Sequence, residues 1–392
     1  MKIAHIAASG PYTEDMTYQE NILPLCQKEQ GHEVTVIANC TCWNESKLGS
    51  VAPMSKIMAS GVQLVRLPYF NIVNAYVTEK LRYIKGLYTT LEKIKPNFIF
   101  LHDVSTGAVT QLKKYLDAHP ETILVADSHT TFSNSGRVWI SRKVLHGIIY
   151  RYFANKIYPY IRTIYYITPD ARRFLTDIYK LPEDKLAFLP LGGIILNEDI
   201  YKEKRIRVRK KYNISDNVVV FLHSGKLDSG KRTIELINAF ASRKNRSNSE
   251  LYIIGDTDDA VRKNKIKELA ETDNTVHFLG WKTGEELFDF LCASDIYVQP
   301  GTVSATLQLA ACNRCGVVVK KCDGYSELLK NAGIVYSEDD KLPSILNDLC
   351  GNIENVVKLK NNTFNVARTI LDYDRQSRMI LCDEGIGEIS SI

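Results

Sequence analysis

Short apolar runs alternate along this chain with longer segments in which apolar positions recur three or four residues apart. The short runs, bounded by turn residues, predict buried strands, and the longer segments predict amphipathic helices. In the first half, strands are predicted at residues 2–7, 33–38, 62–66, 98–101, 123–127, 164–168 and 186–189. Helices are predicted between them at residues 18–29, 77–94, 106–118, 141–158 and 170–178. This alternation predicts βαβ units around a parallel sheet.

The same alternation begins again after residue 200. Strands are predicted at residues 218–224, 250–254, 275–279, 296–299, 316–320 and 333–336. Helices are predicted at residues 233–243, 260–270, 283–293, 305–312, 325–329 and 342–349. Two complete sets in one chain predict an α/β fold with two Rossmann-like domains.

The two sets meet where the pair Gly192 and Gly193 and a polar stretch interrupt the pattern. We therefore expect an N-terminal domain over residues 1–195 and a C-terminal domain over residues 200–362. A final helical pattern at residues 364–381 predicts that the last segment, 363–392, crosses back to the N-terminal domain. The basic segment 202–211 is interpreted as a solvated helix, with a phosphate or membrane patch as the alternative.

Composition narrows the class of protein. With 45% hydrophobic and 24% charged residues, the 392-residue chain is neither disordered nor fibrous. A net charge of +5, spread over both halves, is too small for a nucleic-acid-binding surface. Nine irregularly spaced cysteines favour reduced thiols and a cytoplasmic location. No signal peptide or run of about 18 apolar residues is recognised, although peripheral contact with the inner face of a membrane stays compatible with the sequence.

The strand end at residues 221–233, F-L-H-S-G-K-L-D-S-G-K-R-T, is the most informative. It places Gly225, Lys226, Gly230 and Lys231 on a loop between a buried strand and a helix that begins near Thr233. Two lysines five residues apart bring two cations to one anion, and the helix start adds a positive dipole end. Solvated lysines on a turn are the alternative for this loop taken alone.

Three further strand ends follow in order. They are I-I-G at Gly255, V-H-F-L-G-W at Gly280 and Trp281, and D-I-Y-V-Q-P-G-T-V-S-A-T, a strand followed by a loop of small hydroxyl residues and a helix. In this order and spacing the segment resembles the donor-binding domain of the retaining GT-B glycosyltransferases of family 4. The resemblance implies two Rossmann-like domains facing each other across a cleft, a nucleotide-sugar donor, and neither a metal ion nor another cofactor.

The same resemblance implies roles for particular residues. The donor diphosphate is expected at Gly225, Lys226, Lys231, Ser304, Ala305 and Thr306. The base and ribose are expected at Gly255, Gly280, Trp281 and Gln308. Lysines and a helix amino end would stabilise the charge that grows on a departing diphosphate more in the transition state than in the ground state.

The loop after Pro300 departs from the usual family. Two glutamates eight positions apart are usual there, and here Ser304 and either Gln308 or Leu309 stand near those positions. A subset of envelope-polysaccharide transferases with Pro-Gly-Thr and Ser-Ala-Thr in this loop is more similar, so hydroxyl and amide groups are expected to replace the carboxylates. Loss of activity is the alternative.

The pair Cys312 and Cys315 has the Cys-x-x-Cys spacing of a metal or redox site. A second pair at matching spacing is missing from the sequence. We therefore interpret both cysteines as small packing residues of a helix.

The first domain has no G-x-G-x-x-G motif. Residues 31–34, Gly-His-Glu-Val, resemble the "G-H-E-V" of this glycosyltransferase class, in which an acceptor loop follows the first strand. That resemblance implies that Gly10, Tyr12, Tyr18 and Gln19 contact the acceptor. Packing of the Tyr and Gln side chains at a helix start is an equal alternative.

Two histidines lie at neighbouring predicted strand ends, each beside an aspartate. They are His102, followed by Asp103, and His129, which follows Asp127 and Ser128. We assign His102, Asp103 and His129 to the catalytic site: His102 would contact a sugar hydroxyl or orient the acceptor, and Asp103 would select its tautomer. Neither histidine is assigned as a general base, since retaining enzymes of this class are thought to pass the acceptor proton to the departing phosphate.

Residues 143–162 interleave aromatic and basic side chains. A helix packed on the sheet, with its basic side chains reaching to solvent, is favoured twofold over contact with an anionic membrane. The second interpretation would suit a lipid-linked acceptor.

Together these features predict a hexosyltransferase-like enzyme that moves a sugar from a nucleotide-diphosphate donor to a saccharide or lipid-linked saccharide acceptor in surface polysaccharide synthesis. A second hypothesis is a catalytically silent GT-B subunit that binds nucleotide or glycan and scaffolds a partner transferase. A nucleotide-sugar epimerase on the same fold ranks third.

Overall fold

The structure, a computed structural model, describes residues 1–382 except 45, 46, 133, 137, 245, 247, 303, 305, 323–327, 330 and 331. The chain divides into two compact units. The first comprises residues 1–190 and the chain from residue 376 onward, and the second comprises residues 191–375.

The described part of the first unit contains ten strands. They are β1 (Lys2–Ala7), β2 (Glu33–Asn39), β3 (Thr41–Asn44), β4 (Lys47–Ser50), β5 (Met54–Ile57), β6 (Gln63–Leu67), β7 (Phe98–Leu101), β8 (Ile123–Ser128), β9 (Ile161–Tyr166) and β10 (Leu186–Phe188). Eight of them form one sheet in the order β10-β9-β8-β7-β1-β2-β6-β5, in which only the β5–β6 pair is antiparallel. The pair β3–β4 is a separate antiparallel hairpin. The inner strands are mostly apolar because helices cover both faces of a parallel sheet, although β1 contains His5 and β8 contains Asp127.

Helices follow most of these strands. They are α1 (Gln19–Glu29), α2 (Ala75–Leu81), α3 (Leu87–Ile94), α4 (Val109–Ala118), α5 (Arg151–Ile157) and α6 (Pro169–Asp177). A π-helical segment, Ser141–Tyr150, leads directly into α5, and a short 3-10 turn, Tyr158–Tyr160, follows it.

The predicted single helix at residues 77–94 is wrong, because α2 and α3 are separate. Arg82 and Gly86 take left-handed conformations with φ of 54° and 85°. Between them the chain is extended, and the backbone N–H of Phe70 donates to the carbonyl of Tyr83 at 2.7 Å. Backbone bonds to the segment after β6 therefore replace the helical ones.

The second unit contains six strands in its described part. They are β11 (Val219–Lys226), β12 (Ser249–Asp256), β13 (Val276–Gly280), β14 (Ile296–Gln299), β15 (Gly316–Lys320) and β16 (Ile334–Tyr336). All are parallel in the order β13-β12-β11-β14-β15-β16. Numbered within the unit this is 3-2-1-4-5-6, the strand order of a Rossmann fold. The prediction of an α/β chain with two Rossmann-like sheets is confirmed.

The helices of the second unit begin before its first strand. They are α7 (Glu198–Lys211), α8 (Thr233–Ala241), α9 (Ala260–Glu271), α10 (Gly284–Ala293), α11 (Thr306–Cys312), α12 (Lys341–Gly351), α13 (Ile353–Val366) and α14 (Tyr373–Leu381). The predicted helix at residues 325–329 lies mostly outside the described residues. The end segment is divided by Asp372, so the continuous helix expected at residues 364–381 is wrong. From residue 376 onward α14 belongs to the first unit, where Gln30 Nε2 donates to Ser377 Oγ at 2.6 Å.

The basic helix α7 is helical as predicted, but its cations are not simply solvated. Arg205 and Arg209 contact the carboxylate of Asp295 at 2.9 and 2.7 Å, and Lys360 contacts it at 2.6 Å. Burial alone would raise the pKa of Asp295, but the three cations outweigh it and lower the pKa to about 2. Arg205 and Arg209 hold α7 against the start of β14, which corrects the interpretation of segment 202–211.

Candidate functional site

In each sheet there is one pair of neighbouring strands from which the chain continues in opposite directions across the sheet. This divergence point lies between β1 and β7 in the first unit and between β11 and β14 in the second. Ligands of open parallel sheets bind beyond the carboxyl ends of the strands at such a point, where adjacent loops diverge. Most of the residues singled out from the sequence follow these four strands or their neighbours.

Four glycines let the strand-end loops of the second unit approach one another. A Cβ atom at Gly255 would lie 1.9 Å from the carbonyl oxygen of Gly225, and one at Gly301 would lie 1.9 Å from that of Gly230. Gly225 and Gly255 also have φ of 137° and 147°, conformations that favour glycine. The backbones at the ends of β11 and β12 and in the loop after β14 are therefore in direct contact. This contact leaves no room for a side chain at Gly255 and explains why Gly225 and Gly255 are glycines.

The two lysines of the β11 loop have different surroundings. Lys231 is only 7% exposed, and its Nζ donates to the carbonyl of Thr302 at 3.0 Å. Burial lowers the pKa of Lys231, so a bound anion would stabilise its charged form strongly. Lys226 is exposed and pairs with Asp258 at 3.0 Å, a contact that solvent weakens. Lys231 is therefore the better candidate for a diphosphate contact.

Buried polar groups support the loop after β14. The amide nitrogen of Gln299 donates to the carbonyl of Thr302 at 2.6 Å, and the Tyr297 hydroxyl donates to Oε1 of Gln299 at 3.1 Å. The Tyr297 hydroxyl also lies 3.2 Å from Oγ of Ser224. Sequence reasoning missed Tyr297 and Gln299, although polar residues inside the buried run I-Y-V-Q were a usable signal.

The residues expected near the sugar and ribose lie in the same loop and in the short helix after it. Oγ of Ser304 donates to Oγ1 of Thr306 at 3.2 Å and accepts from its backbone N–H at 3.4 Å. Gln308 is buried in α11. Ala305 lies outside the described residues. The structure thus places hydroxyl and amide groups at this strand end, where the sequence has no carboxylate between residues 296 and 322.

The end of β13 is open. Gly280 has φ of 67°, and a Cβ atom there would meet nothing within 4 Å. Trp281 follows with 69% of its surface exposed. An exposed indole beside a turn leaves a flat apolar face available to a base.

In the first unit, a hydrogen-bonded chain of buried side chains crosses the divergence point. Nδ1 of His102 donates to Oδ2 of Asp127 at 3.0 Å, because a carboxylate only accepts. Nε2 of His102 lies 3.0 Å from Nδ1 of His5, and Nε2 of His5 lies 2.7 Å from Oε1 of Gln27. Burial and the neighbouring His102 lower the pKa of His5 to about 3. His5 is therefore neutral at physiological pH and positions His102.

The second histidine meets the same carboxylate. Nε2 of His129 donates to Oδ2 of Asp127 at 3.3 Å and to Oε1 of Gln19 at 3.1 Å. Burial alone would lower the pKa of His129, but the charge of Asp127 outweighs it and raises the pKa to about 9. Burial would raise the pKa of Asp127, and the charges of His129 and His102 hold it below its usual range.

The predicted partnership of His102 with Asp103 is wrong, because Asp127 makes that contact. Asp103 has φ of 68°, and its backbone N–H donates to Oδ1 of Asp127 at 2.8 Å. Its own carboxylate accepts from the Ser105 backbone N–H at 3.0 Å and from the Thr130 hydroxyl at 3.1 Å. Sequence reasoning missed His5 and Gln27, for which a histidine inside the apolar run K-I-A-H-I-A was the available signal.

The four residues predicted on the acceptor side have different environments. Tyr12 is 1% exposed, with the guanidinium of Arg66 over its ring, so its side chain supports the loop. Gln19 is buried against His129, whereas Tyr18 is exposed. Gly10 has open space where a side chain would stand, and its carbonyl accepts from Asn39 Nδ2 at 2.5 Å.

The cysteine pair is part of the core of the second unit. Cys312 and Cys315 are both buried, and Sγ of Cys315 donates to the carbonyl of Leu291 at 3.2 Å. A Cβ atom at Gly193 would lie 3.0 Å from Sγ of Cys312. Burial raises the pKa of both thiols, which suits packing residues. In the part of the chain that the structure describes, no cluster of three or more His, Cys, Asp or Glu side chains is arranged as a metal site.

Comparison with known proteins gives matches in sequence and in structure. Residues 204–363 match the family Glycosyl transferases group 1. The lipopolysaccharide 1,2-N-acetylglucosaminetransferase of Salmonella typhimurium is 24% identical over 193 residues, covering 45% of this chain and 50% of that protein. The chain therefore matches about half the length of this curated relative.

Solved structures match over nearly the whole chain. Anabaena HepE in complex with UDP has a TM-score of 0.66 at 14% identity and covers 100% of both chains. WaaG, a glycosyltransferase involved in lipopolysaccharide biosynthesis, has a TM-score of 0.62 at 15% identity, over 97% of this chain and 100% of its own. A glycosyltransferase from Rickettsia africae has a TM-score of 0.63 at 14% identity, over 100% of this chain and 98% of its own.

These matches identify the class of fold. The chain has the fold of the GT-B glycosyltransferases, and residues 204–363 of its second unit match the glycosyl transferases group 1 family. The resemblance to GT-B glycosyltransferases of surface polysaccharide synthesis is confirmed. Membership of family 4 stays a prediction.

Proposed function

We propose that this protein is a glycosyltransferase that moves a sugar from a nucleotide-diphosphate donor to a saccharide acceptor. The observation that carries the proposal is Lys231, a buried lysine at the glycine-lined end of β11 inside a glycosyl transferases group 1 domain. A diphosphate held beside this ammonium group would make a charge-assisted contact that is stronger than one to a solvated lysine. HepE, whose solved structure contains UDP, has the same fold, which supports a nucleotide ligand.

The proposed mechanism places the charge that develops during transfer on the donor diphosphate. Lys231 would stabilise that charge as the glycosidic bond breaks, with hydroxyl groups of Ser304 and Thr306 nearby in the loop. The reaction would retain anomeric configuration and need no metal ion, and the departing phosphate would accept the acceptor proton. His102 would not remove the acceptor proton, because its Nε2 is taken up by His5 and its Nδ1 donates to Asp127. It would instead hold the groups at the ends of β7 and β8 in position for the acceptor.

Surface polysaccharide synthesis is the proposed setting. The Salmonella relative is named as a lipopolysaccharide N-acetylglucosaminetransferase, and WaaG is described as involved in lipopolysaccharide biosynthesis. A saccharide or lipid-linked saccharide of the cell envelope is therefore the acceptor class that we propose, and the enzyme would act on the cytoplasmic side of the membrane.

Nucleotide binding and donor hydrolysis test this function. Calorimetry with UDP, GDP, ADP and CMP should give one preferred nucleotide among the three diphosphates, with CMP as the monophosphate comparison, and Lys231→Met should weaken its binding at least tenfold. The purified chain should also release that nucleoside diphosphate slowly from the matching nucleotide sugars. Binding without any release would favour the silent GT-B subunit, for which the absence of carboxylates from the loop after Pro300 is the motivation. Failure of all four nucleotides to bind would contradict the transferase and would favour a silent subunit that binds glycan.

We further propose that the first unit rests on an anionic membrane. Apolar side chains at positions four apart are exposed on one face of the π-helix and α5: Ile140 by 65%, Val144 by 44%, Ile148 by 63% and Tyr152 by 57%. Trp139 adjoins them and is 69% exposed. The favoured helix-packing interpretation accounts for the buried face of this segment, and the exposed face suits an interfacial helix. In the described residues no helix is long and apolar enough to cross a bilayer.

Basic residues accompany this apolar face. Lys143 and Arg151 are exposed within the same two helical segments. Sedimentation with phosphatidylglycerol vesicles tests the contact, with phosphatidylcholine vesicles as the comparison. We expect binding to the anionic vesicles that weakens with salt and is lost in the double variant Trp139→Ser, Ile148→Ser. The double variant Ile200→Ser, Ile206→Ser, which changes exposed isoleucines on α7, is the matched control. Equal sedimentation of both double variants with the vesicles would contradict this proposal.

A further inference from the structure

A polar cavity lies within the first unit at the carboxyl ends of its strands. Its volume is about 380 Å³, within the usual range for small-ligand sites. Its polar lining comes from the loops after β1, β7 and β8 and from the end of α2, and includes Ser9, Lys80, Arg82, Asp103, Ser105 and Thr130. Of these, only Asp103 was a candidate from the sequence, so the cavity is a site that sequence reasoning did not find.

Arg82 is held in place by several contacts. Its left-handed backbone ends α2, and its carbonyl accepts from the Thr106 hydroxyl at 3.1 Å. Its Nη1 donates to the carbonyl and hydroxyl of Ser105 at 3.2 and 3.4 Å, and the guanidinium lies over the ring of Tyr150 at 5.2 Å. A guanidinium fixed in this way keeps further N–H donors for a ligand.

The cavity carries an excess of positive charge. Among the described residues, no carboxylate lies within ion-pair distance of Arg82 or Lys80, and Nζ of Lys80 is 5.5 Å from the ring centre of Tyr76. His146, which also lines the cavity, is neutral at physiological pH because burial lowers its pKa to about 4. Two cations and one carboxylate, Asp103, thus face the same space.

Asp103 complements these cations. Each of its carboxylate oxygens accepts one hydrogen bond, from the Ser105 backbone N–H and from the Thr130 hydroxyl. A carboxylate can accept about four, so it retains capacity for ligand hydroxyl groups. A fixed guanidinium, a lysine and a carboxylate side by side suit a ligand that carries both an anionic group and hydroxyl groups.

We infer that this cavity binds an acidic sugar residue of the acceptor. Arg82 and Lys80 would contact its carboxylate or phosphate group, and Asp103 would accept hydrogen bonds from its hydroxyls. The inference rests on the proposed function, because a glycosyltransferase needs an acceptor site, and it specifies the acceptor as anionic.

Saturation-transfer NMR with single sugars tests the inference without turnover. The probes are glucuronate, glucose 6-phosphate, glucose and inorganic phosphate, each added to the full chain. We expect glucuronate or glucose 6-phosphate to bind at least tenfold more tightly than glucose or inorganic phosphate. Preference for glucuronate would identify a carboxylate ligand, and preference for glucose 6-phosphate a phosphate ligand. Equal binding of glucose, or of inorganic phosphate alone, would overturn the inference.

Variants locate the binding in the cavity. Arg82→Met should abolish the preference for the acidic sugar, and Lys80→Met, which changes a half-buried residue at the end of α2, should reduce it severalfold. Arg172→Met, at an exposed arginine paired with Glu183 outside the cavity, should leave it unchanged. An unchanged preference in both cavity variants would overturn the inference. Binding of the preferred nucleoside diphosphate, measured on the same samples, separates the outcomes, since its absence from the wild type would contradict the proposed function without affecting the cavity.

Discussion

Nε2 of His129 donates to Oδ2 of Asp127 at 3.3 Å, and the two side chains form an ion pair at the carboxyl end of β8. The pKa of His129 is raised to about 9 from an ordinary value of 6.5, because Asp127 outweighs the effect of burial. A raised pKa in the folded state means that folding takes up a proton between these two values. The stability from this pair is therefore fully present below pH 6.5 and is lost as the pH rises through 9.

The first prediction follows from the direction of this shift in the pKa of His129. Between pH 6.5 and 9, the melting temperature of the wild type should fall more steeply than that of His129→Gln. Because a third of the imidazole is exposed, solvent screening limits the difference in unfolding free energy to on the order of 1 kcal/mol. Thermal melts across this pH range measure it, and parallel curves for the two proteins would contradict the ion pair.

The second prediction concerns proton uptake by Lys231. Burial lowers its pKa, and a bound diphosphate would raise the pKa again. UDP, or whichever nucleotide is preferred, should therefore bind with proton uptake at alkaline pH, measured by calorimetry in buffers of different ionisation enthalpy. Lys226→Met serves as the control, because Lys226 is exposed, and it should retain the uptake with affinity changed about twofold. Binding without proton uptake would remove Lys231 from the diphosphate site.

The third prediction compares two glycines. In Gly255→Ala the new Cβ atom would lie 1.9 Å from the carbonyl oxygen of Gly225, so the ends of β11 and β12 must separate. We expect a loss of about 3 kcal/mol or more in unfolding free energy. Gly280→Ala has positive φ but open space and should cost about 1 kcal/mol. Urea unfolding measures both, and equal losses would show that the close approach carries no extra cost.

The fourth prediction concerns the buried carboxylate beneath α7. Asp295→Asn removes the charge that Arg205, Arg209 and Lys360 share and should destabilise the second unit by about 3–5 kcal/mol. Asp258→Asn, at a fully exposed partner of Lys226, should change stability little. Because the pKa of Asp295 is lowered to about 2, its contribution is present above pH 4 and is lost as the pH falls towards 2. Acid unfolding of the wild type and the two variants measures this difference.

The fifth prediction separates His102 from donor binding. His102→Gln should lower turnover about tenfold or more while nucleotide affinity stays within twofold. His119→Gln, at a partly exposed histidine beside Glu92, should leave both unchanged. Steady-state kinetics and calorimetry on the same preparations measure the two effects. Full turnover of His102→Gln would remove this residue from the site.

Features that depend on local pattern could be predicted from the sequence. The strands at residues 2–7, 98–101, 296–299 and 316–320 were predicted with their observed bounds, because continuous apolar runs between turn residues have few alternatives. The break within the predicted helix at residues 77–94 could not be foreseen, since the apolar spacing continues through Arg82 and Gly86. Backbone pairing of residues 83–85 with the segment after β6 breaks the helix there.

The pairing of His102 illustrates what sequence spacing misses. Asp103 is its neighbour in the chain, and Asp127 is its neighbour in the sheet, because Leu101 of β7 pairs with Ala126 of β8. The following residues, His102 and Asp127, are therefore brought side by side. His5 reaches His102 through the register of β1 with β7, in which His5 pairs with Phe100.

Hydrophobic period and turn residues act over a few positions, so the amino-acid sequence was enough to predict the two α/β units, the glycine and lysine loop after β11 and the histidines at strand ends. Three relationships became visible only in the folded chain: Asp127 contacts both histidines, Asp295 pairs with two arginines of the basic helix, and Arg82, Lys80 and Asp103 line one cavity. These contacts join residues up to 90 positions apart, such as Arg205 and Asp295, and depend on strand register and burial, which local spacing does not encode.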